Sequence, residues 1–235
     1  MVVRSLHTIS LSPKVTGEGY APNGEFLRDG SKVIPADEPE LRALLLACTI
    51  CNDSILQQEN GQWIIIGDPT EGALLTVAAK AGLERDQWNS KLPRVSEFPF
   101  SSERKRMSVI VKDAAGLLQA ETDFLSTPFL MFTKGSPEIV LERCQQIQIG
   151  DRVEPITQAQ RTQILQRNNE LAGNGLRVLG FAYKPLKEVP PEGADEASEQ
   201  GLVWLGLVDM LDAPRPEVRE AVKRCRSAGI RPVMI

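Results

Sequence analysis

The hydrophobic positions of this chain alternate between two periods. Residues 2–20 read as strand-like segments ending in Gly17-Glu18-Gly19-Tyr20, and Ala21-Pro22-Asn23-Gly24 then signals a turn. Leu41, Leu44, Leu45 and Cys48 share one helical face and predict a helix over about 38–51. Trp63-Ile64-Ile65-Ile66 is a short buried strand. Gly67-Asp68-Pro69-Thr70-Glu71 then leads into Ala73, Leu74, Val77 and Ala78 at helical spacing, giving strand, tight turn and helix. Further on, Phe98–Ser102 reads as a loop and Met107–Val111 as a strand. Phe129–Phe132 is a strand running into Lys134-Gly135-Ser136-Pro137-Glu138, where Ser-Pro starts a helix. Thr157-x-x-Gln160 is a capping box for a helix ending near Gly173 and Gly175, and Leu176–Lys184 follows as a strand.

Residues 187–200 are acidic, contain proline and carry almost no large apolar side chain, which predicts a mobile surface loop. The pattern then changes. Leu202–Val208 reads as a strand, Arg215–Ser227 as an amphipathic helix, and Ile230–Ile235 as the start of another strand, a βαβ arrangement typical of parallel sheets.

Composition narrows the functional classes. With 235 residues and 42% hydrophobic content the chain can bury a full core. Its 27 Lys and Arg against 31 Asp and Glu give a net charge of −4, a field that repels polyanions. Nucleic acid is therefore not an expected partner, and any phosphate site must be local. The apolar runs, such as Ala43–Ile50 and Leu202–Val208, fall far short of the ~20 residues of a membrane span, so no direct membrane contact is expected. No secretory signal opens the chain, which points to the cytosol. Cys48 and Cys51 form a lone C-x-x-C on an apolar helical stretch without a second pair, and read as reduced core thiols. His7, the only histidine, is a poor candidate for a catalytic base.

Several residues carry candidate chemistry, each beside a structural explanation. Asp68 as N-cap, Pro69 at the first helical position and Glu71 three residues after the cap make a capping box that accounts for Glu71 without any ligand. Phe100, set among Pro99, Ser101 and Ser102, either plugs the core or offers a face on which a base stacks. Arg104-Lys105-Arg106 is either a solvated basic face or a phosphate clamp. Lys134 ends an apolar strand directly before Gly135, where backbone can approach a ligand closely. Arg177, at a strand start, could equally form a surface ion pair.

The order of these segments is more specific than any one of them. Cys51-Asn52-Asp53-Ser54, Gly67 through Leu74, Phe100 through Val109, Lys134-Gly135-Ser136-Pro137-Glu138, Arg177-Val178-Leu179 and Asp212-Ala213-Pro214-Arg215-Pro216 resemble, in sequence order, the cytoplasmic motifs of type II P-type cation-transporting ATPases. Val15 through Glu25 looks most like the sarcoplasmic-reticulum type of calcium pump and its bacterial relatives. The resemblance implies an ATP-binding (N) domain over 1–200, an α/β (α+β) fold with a largely antiparallel sheet flanked by helices. A hinge and a partial, Rossmann-like phosphorylation (P) domain would occupy 201–235.

The resemblance also implies roles. Phe100 would stack on adenine, and Glu71 would accept a hydrogen bond near the adenine amine with Thr70 beside it. Lys105, Met107, Lys134 and Gly135 would line the cleft, Arg177 would reach the phosphates, and Leu179 would back the ribose or base. Asp212 and Arg215 would belong to the hinge. Ser102 is counted with the nucleotide-binding residues, but it stands where animal calcium pumps carry an arginine at the phosphates, which would lean that task on Arg177, Lys105 or Arg104. The Asp-Lys-Thr-Gly-Thr segment with the phosphorylated aspartate and the Thr-Gly-Asp segment that helps hold Mg²⁺ are absent from this sequence. The chain is thus expected to bind ATP without turnover, with no catalytic residue and no metal ligand of its own. In the full-length protein it would work with Mg²⁺ and with the phosphorylation and actuator domains, as a cytoplasmic part of an integral membrane pump. Calcium as the cation follows only from overall resemblance. The alternatives are a haloacid-dehalogenase-like phosphatase fragment, which would need an Asp-x-Asp triplet that does not occur here, or a regulatory nucleotide-binding module.

Overall fold

A computed structural model describes residues 1–113, 127–191, 193–212 and 216–233. In chain order the elements are β1 (Val2–His7), β2 (Lys14–Val15), β3 (Phe26–Arg28), β4 (Ser31–Val33), a 3₁₀ turn (Pro35–Asp37), α1 (Pro39–Ile50), β5 (Ile55–Glu59), β6 (Gln62–Ile66), α2 (Pro69–Lys80), α3 (Arg85–Lys91), β7 (Arg94–Ser101) and β8 (Arg106–Lys112). After these come β9 (Phe129–Gly135), α4 (Pro137–Glu142), β10 (Cys144–Ile149), β11 (Arg152–Pro155), α5 (Gln158–Gly173), β12 (Arg177–Leu186), the single turn α6 (Asp195–Ser198), β13 (Leu202–Leu211) and α7 (Pro216–Ser227).

The main sheet runs β4-β3-β2-β1-β13-β12-β9-β8-β7, antiparallel at each step. β10 joins the first half of β13 in parallel and carries β11 on its outer edge. Both faces are covered, and the alternation of side chains along each strand divides them between two cores. From β13, Val203, Leu205, Val208 and Met210 pack with Leu41, Leu44 and Leu45 of α1 and Leu74 and Val77 of α2. Leu202, Trp204 and Leu207 point the other way, to Val140 and Leu141 of α4 and Ile164 and Leu171 of α5. In β9, Leu130 and Phe132 face the first core while Met131 faces the second. Each such aliphatic side chain contributes about 1.5–3 kcal/mol by leaving water. A central strand with both faces buried has to be apolar throughout, as β13 is but for Asp209. That carboxylate is fully buried and accepts hydrogen bonds from Ser5 Oγ and from His7 Nε2 at 2.9 Å, so the single histidine has a structural partner.

The helix bounds agree closely with the periodicity, and Thr157 and Gln160 form the reciprocal capping box at the start of α5. The Cys48 and Cys51 thiols are buried and unbridged, and burial pushes Cys51 up to about 11, which keeps it an inert thiol.

Other expectations need correction. The loop expected at Phe98–Ser102 is the end of edge strand β7. Its pairing with β8 slips between Phe98 and Ser101, where Pro99 falls on a strand with no further neighbour. Trp63–Ile66 is a strand, but in a separate hairpin with β5, and Ile66 is exposed. The acidic segment is anchored. Glu196 and Glu199 bind Arg106, and Lys184 Nζ donates to the carbonyls of Ser198 and Gln200 at 3.0 and 2.7 Å. The strand expected after residue 200 is β13, and it lies in the middle of the main sheet between β1 and β12. Residues 230–233 form no strand, and 234–235 lie outside the described residues.

Candidate functional site

A cleft of ≈ 860 Å³ opens where several elements end together. Its floor comes from Lys134 and Gly135 of β9, Met107 of β8 and Leu179 of β12, which the register sets side by side: Met107 pairs with Lys134, and Gly135 with both Arg106 and Gly180. One wall is the start of α2, with Asp68, Thr70 and Glu71, backed by Asp53 and Ser54. The other is Phe100 and Lys105 at the β7–β8 turn, with Glu138 of α4 and Asn168 and Ala172 of α5. Gly135 permits the closeness of the strands. A side chain there would collide with the Lys105 carbonyl and the Arg106 backbone.

The α2 wall is internally committed. Asp68 caps the helix, accepting from Thr70 N at 2.7 Å and Glu71 N at 3.3 Å. Burial opposes its ionisation, but these bonds and the Arg177 guanidinium hold its carboxyl below the usual range. The first helical amides are therefore already occupied by an anion. Glu71 does not close the box on the Asp68 backbone. Its Oε2 reaches across to the amides of Asp53 and Ser54 at 3.0 and 3.1 Å, and its Oε1 accepts from Lys134 Nζ at 2.6 Å. Lys134, buried to 6% exposure, donates also to the Cys51 carbonyl at 2.6 Å. Asn52 completes this wall by donating to the Cys48 and Glu71 carbonyls.

The opposite rim is available. Phe100 is 61% exposed, which removes the core-plug explanation. Lys105 takes the left-handed conformation at φ +53° and, among the described residues, makes no side-chain hydrogen bond or ion pair. Arg177, exposed at the start of β12, donates from Nη1 to Thr70 Oγ1 at 2.7 Å. The flanking arginines turn away: Arg104 and Arg106 both bind the buried Glu199, so Arg104 does not serve the cleft.

Thus Thr70, Glu71, Phe100, Lys105, Met107, Lys134, Gly135, Arg177 and Leu179 all line one cleft, brought together from positions 70 to 179, and exposed Ser102 does not. Asp53, Ser54, Glu138, Asn168, Ala172 and Val178, to which the sequence assigns no part in a site, also line it, as does the N-cap Asp68. Asn168 Nδ2 donates to Glu138 Oε1 at 2.6 Å. On the polar helix α5 the buried Asn168 and the exposed Ala172 lie one turn apart, and no signal in the sequence marks them as cleft residues. Asp212 is exposed after β13, and Arg215 lies outside the described residues.

The model of the P-type ATPase cytoplasmic domain N matches residues 40–217. The chain belongs to this family. A calcium-transporting ATPase of Bacillus subtilis is 35% identical over 94% of the chain, and the cation-transporting ATPase pma1 of Synechocystis 36% identical over all of it. An endoplasmic-reticulum-type calcium-transporting ATPase 3 of Arabidopsis thaliana is 34% identical over 94%. The chain spans about a quarter of the length of these relatives, 24%, 25% and 24% respectively. This N domain thus carries a cleft with an exposed aromatic, an unpaired lysine and an accessible arginine at its rim. Among its described residues no helix is long and apolar enough to cross a membrane.

Proposed function

We propose that the cleft of this N domain binds ATP, and that in a full-length cation pump it presents the γ-phosphate to an aspartate outside this chain. The observation that carries the reading is the pairing of a 61% exposed Phe100 with the unpaired ammonium of Lys105 on the same rim. A flat apolar face and a fixed cation suit a purine and its phosphates. Phe100 stacks on adenine, with Met107 and Leu179 backing the ring and ribose. Thr70 and the Glu71 carboxylate lie toward the adenine amine, and Arg177 and Lys105 face the phosphates. Lys134 and Gly135 form the floor.

The cleft's residues do not fit a magnesium site. The carboxylates of Asp68, Glu71 and Glu138 are taken by protein donors. Mg²⁺ accordingly belongs with ATP and with groups outside this chain. Cation transport, with calcium as the ion suggested by the relatives' names, and cooperation with phosphorylation and actuator domains are properties of the full-length protein. The domain's exit lies near Asp212. β1 begins where β13 ends, Val2 pairing with Leu211, which supports a hinge involving Asp212 and Arg215.

Titration of the 235-residue chain with ATP, followed by calorimetry or NMR, tests the reading. Kd falls at about 0.1–1 mM, or about −4 to −5.5 kcal/mol. AMP and ADP bind within roughly tenfold of ATP, because the aromatic face supplies most of the affinity. Absence of saturable shifts around Phe100 and Lys105 would refute it.

A further inference from the structure

Glu199 is fully buried, in a segment whose composition suggests only an acidic loop. Its Oε1 accepts from Arg104 Nη2 at 2.8 Å and from Ser108 Oγ at 2.6 Å, and its Oε2 from Arg106 Nε at 2.7 Å. Arg106 is itself 2% exposed and also donates from Nη2 to Glu196 at 2.7 Å and from Nη1 to the Arg104 carbonyl at 3.0 Å. Glu196 in turn holds Arg143 at 2.8 Å. One carboxylate thus grips the side chains of the two residues that flank Lys105.

Between them Lys105 sits at φ +53°, a conformation that a lysine keeps only where its neighbours enforce it. The turn is closed at both ends: Lys105 N donates to the Ser101 carbonyl at 2.8 Å, and the Lys105 carbonyl accepts from Ser136 N at 2.9 Å, directly beside Gly135. The side chain that emerges is the unpaired cation of the cleft rim. The carboxylate is never in the cleft lining, so any effect it has on a ligand passes through the turn.

We propose that Glu199 is a positioning residue of the nucleotide cleft: by anchoring Arg104 and Arg106 it fixes the left-handed turn that aims Lys105 at the ligand's phosphates. This rests on the reading of the cleft as an ATP site. The contribution is specific to the anionic end of the ligand, since Phe100 lies on β7 before the turn and owes its exposure to the edge strand.

The test is a double-mutant cycle on the 235-residue chain, with ATP and adenosine as probes. Glu199→Gln weakens ATP roughly tenfold, the scale of one charge-assisted contact, and leaves adenosine within about twofold. Lys105→Ala weakens ATP by a similar factor. In the Lys105→Ala background Glu199→Gln adds nothing further to the loss. Equal losses for ATP and adenosine, or losses that multiply in the double variant, overturn the proposal, because a merely structural role would produce either. Should Glu199→Gln not fold, as judged by circular dichroism, Arg104→Gln runs the same cycle with the Arg106 pair intact and a smaller ATP-specific loss expected. The two failures are distinguishable. A wild-type chain that binds no ATP sinks the nucleotide reading and the proposal with it, whereas ATP binding that depends on Phe100 but shows no coupling between positions 199 and 105 sinks the proposal alone.

Discussion

The two walls of the cleft use charge in opposite ways. On the α2 side, Asp68, Glu71 and Lys134 have their polar atoms satisfied by one another and by the backbone of Cys51 to Ser54. On the β7–β8 rim, Phe100 and Lys105 have no such partners. A cation that already holds two short hydrogen bonds in a buried place is part of the cleft's construction, and a ligand must compete with Glu71 for it. An exposed cation on a fixed turn, with only the nearby Glu138 carboxylate feeling its charge and no hydrogen bond to give up, is free to meet an arriving anion. The difference separates side chains committed to the cleft's construction from side chains left accessible at its rim.

The contrast breaks most clearly at Lys134. Lys134→Ala leaves the partly exposed Glu71 with its Oε1 unpaired and lowers stability by about 2 kcal/mol, measured by urea denaturation. Glu71→Gln combined with Lys134→Met restores a good part of that loss, because no unpaired charge remains. If Lys134→Ala leaves stability unchanged and only ATP affinity falls, Lys134 belongs with the rim instead. A smaller effect is expected at the cap. Asp68→Ala costs about 1 kcal/mol at neutral pH. The Asp68 carboxyl is held below its usual range, so its contribution is complete above the unfolded value near ~4 and is lost as pH falls through the lower folded value. Thermal melts of wild type and variant therefore differ at pH 7 and converge in stronger acid; a gap that persists there would argue against the ionised cap. The smallest effect belongs to Ser102→Ala, since Ser102 is exposed and outside the cleft lining. Stability moves by less than ~0.5 kcal/mol, and ATP titration should show no resolvable change.

What could be read in the sequence was whatever depends on near neighbours. The 3.6-residue period gave α1 nearly to the residue, Asp68 and Pro69 gave the start of α2, and the Thr157 and Gln160 pair gave the start of α5. The ordered motifs brought nine residues to one cleft, because a family resemblance carries tertiary information that periodicity lacks. Long-range pairing was not legible. Glu71 fits a capping box, and nothing local reveals that it is held by Lys134, 63 positions away. Likewise Glu199 reads as solvated acid until Arg106, 93 positions earlier, is folded against it. An apolar run such as Leu202–Leu211 says that both faces are buried but not how its neighbours run: β13 is antiparallel to β1 and β12 and parallel to β10.

Phe100 is where the two readings of the cleft part most sharply, because an exposed ring adds little to folding and much to a stacked base. Phe100→Ala, measured in one preparation for both ATP affinity and thermal stability, should lose roughly 1–3 kcal/mol of binding. Its melting temperature should stay within about 2 °C of wild type, as for an exposed substitution. A variant that melts early while its folded fraction binds ATP with wild-type affinity would contradict the assignment of this rim to the nucleotide.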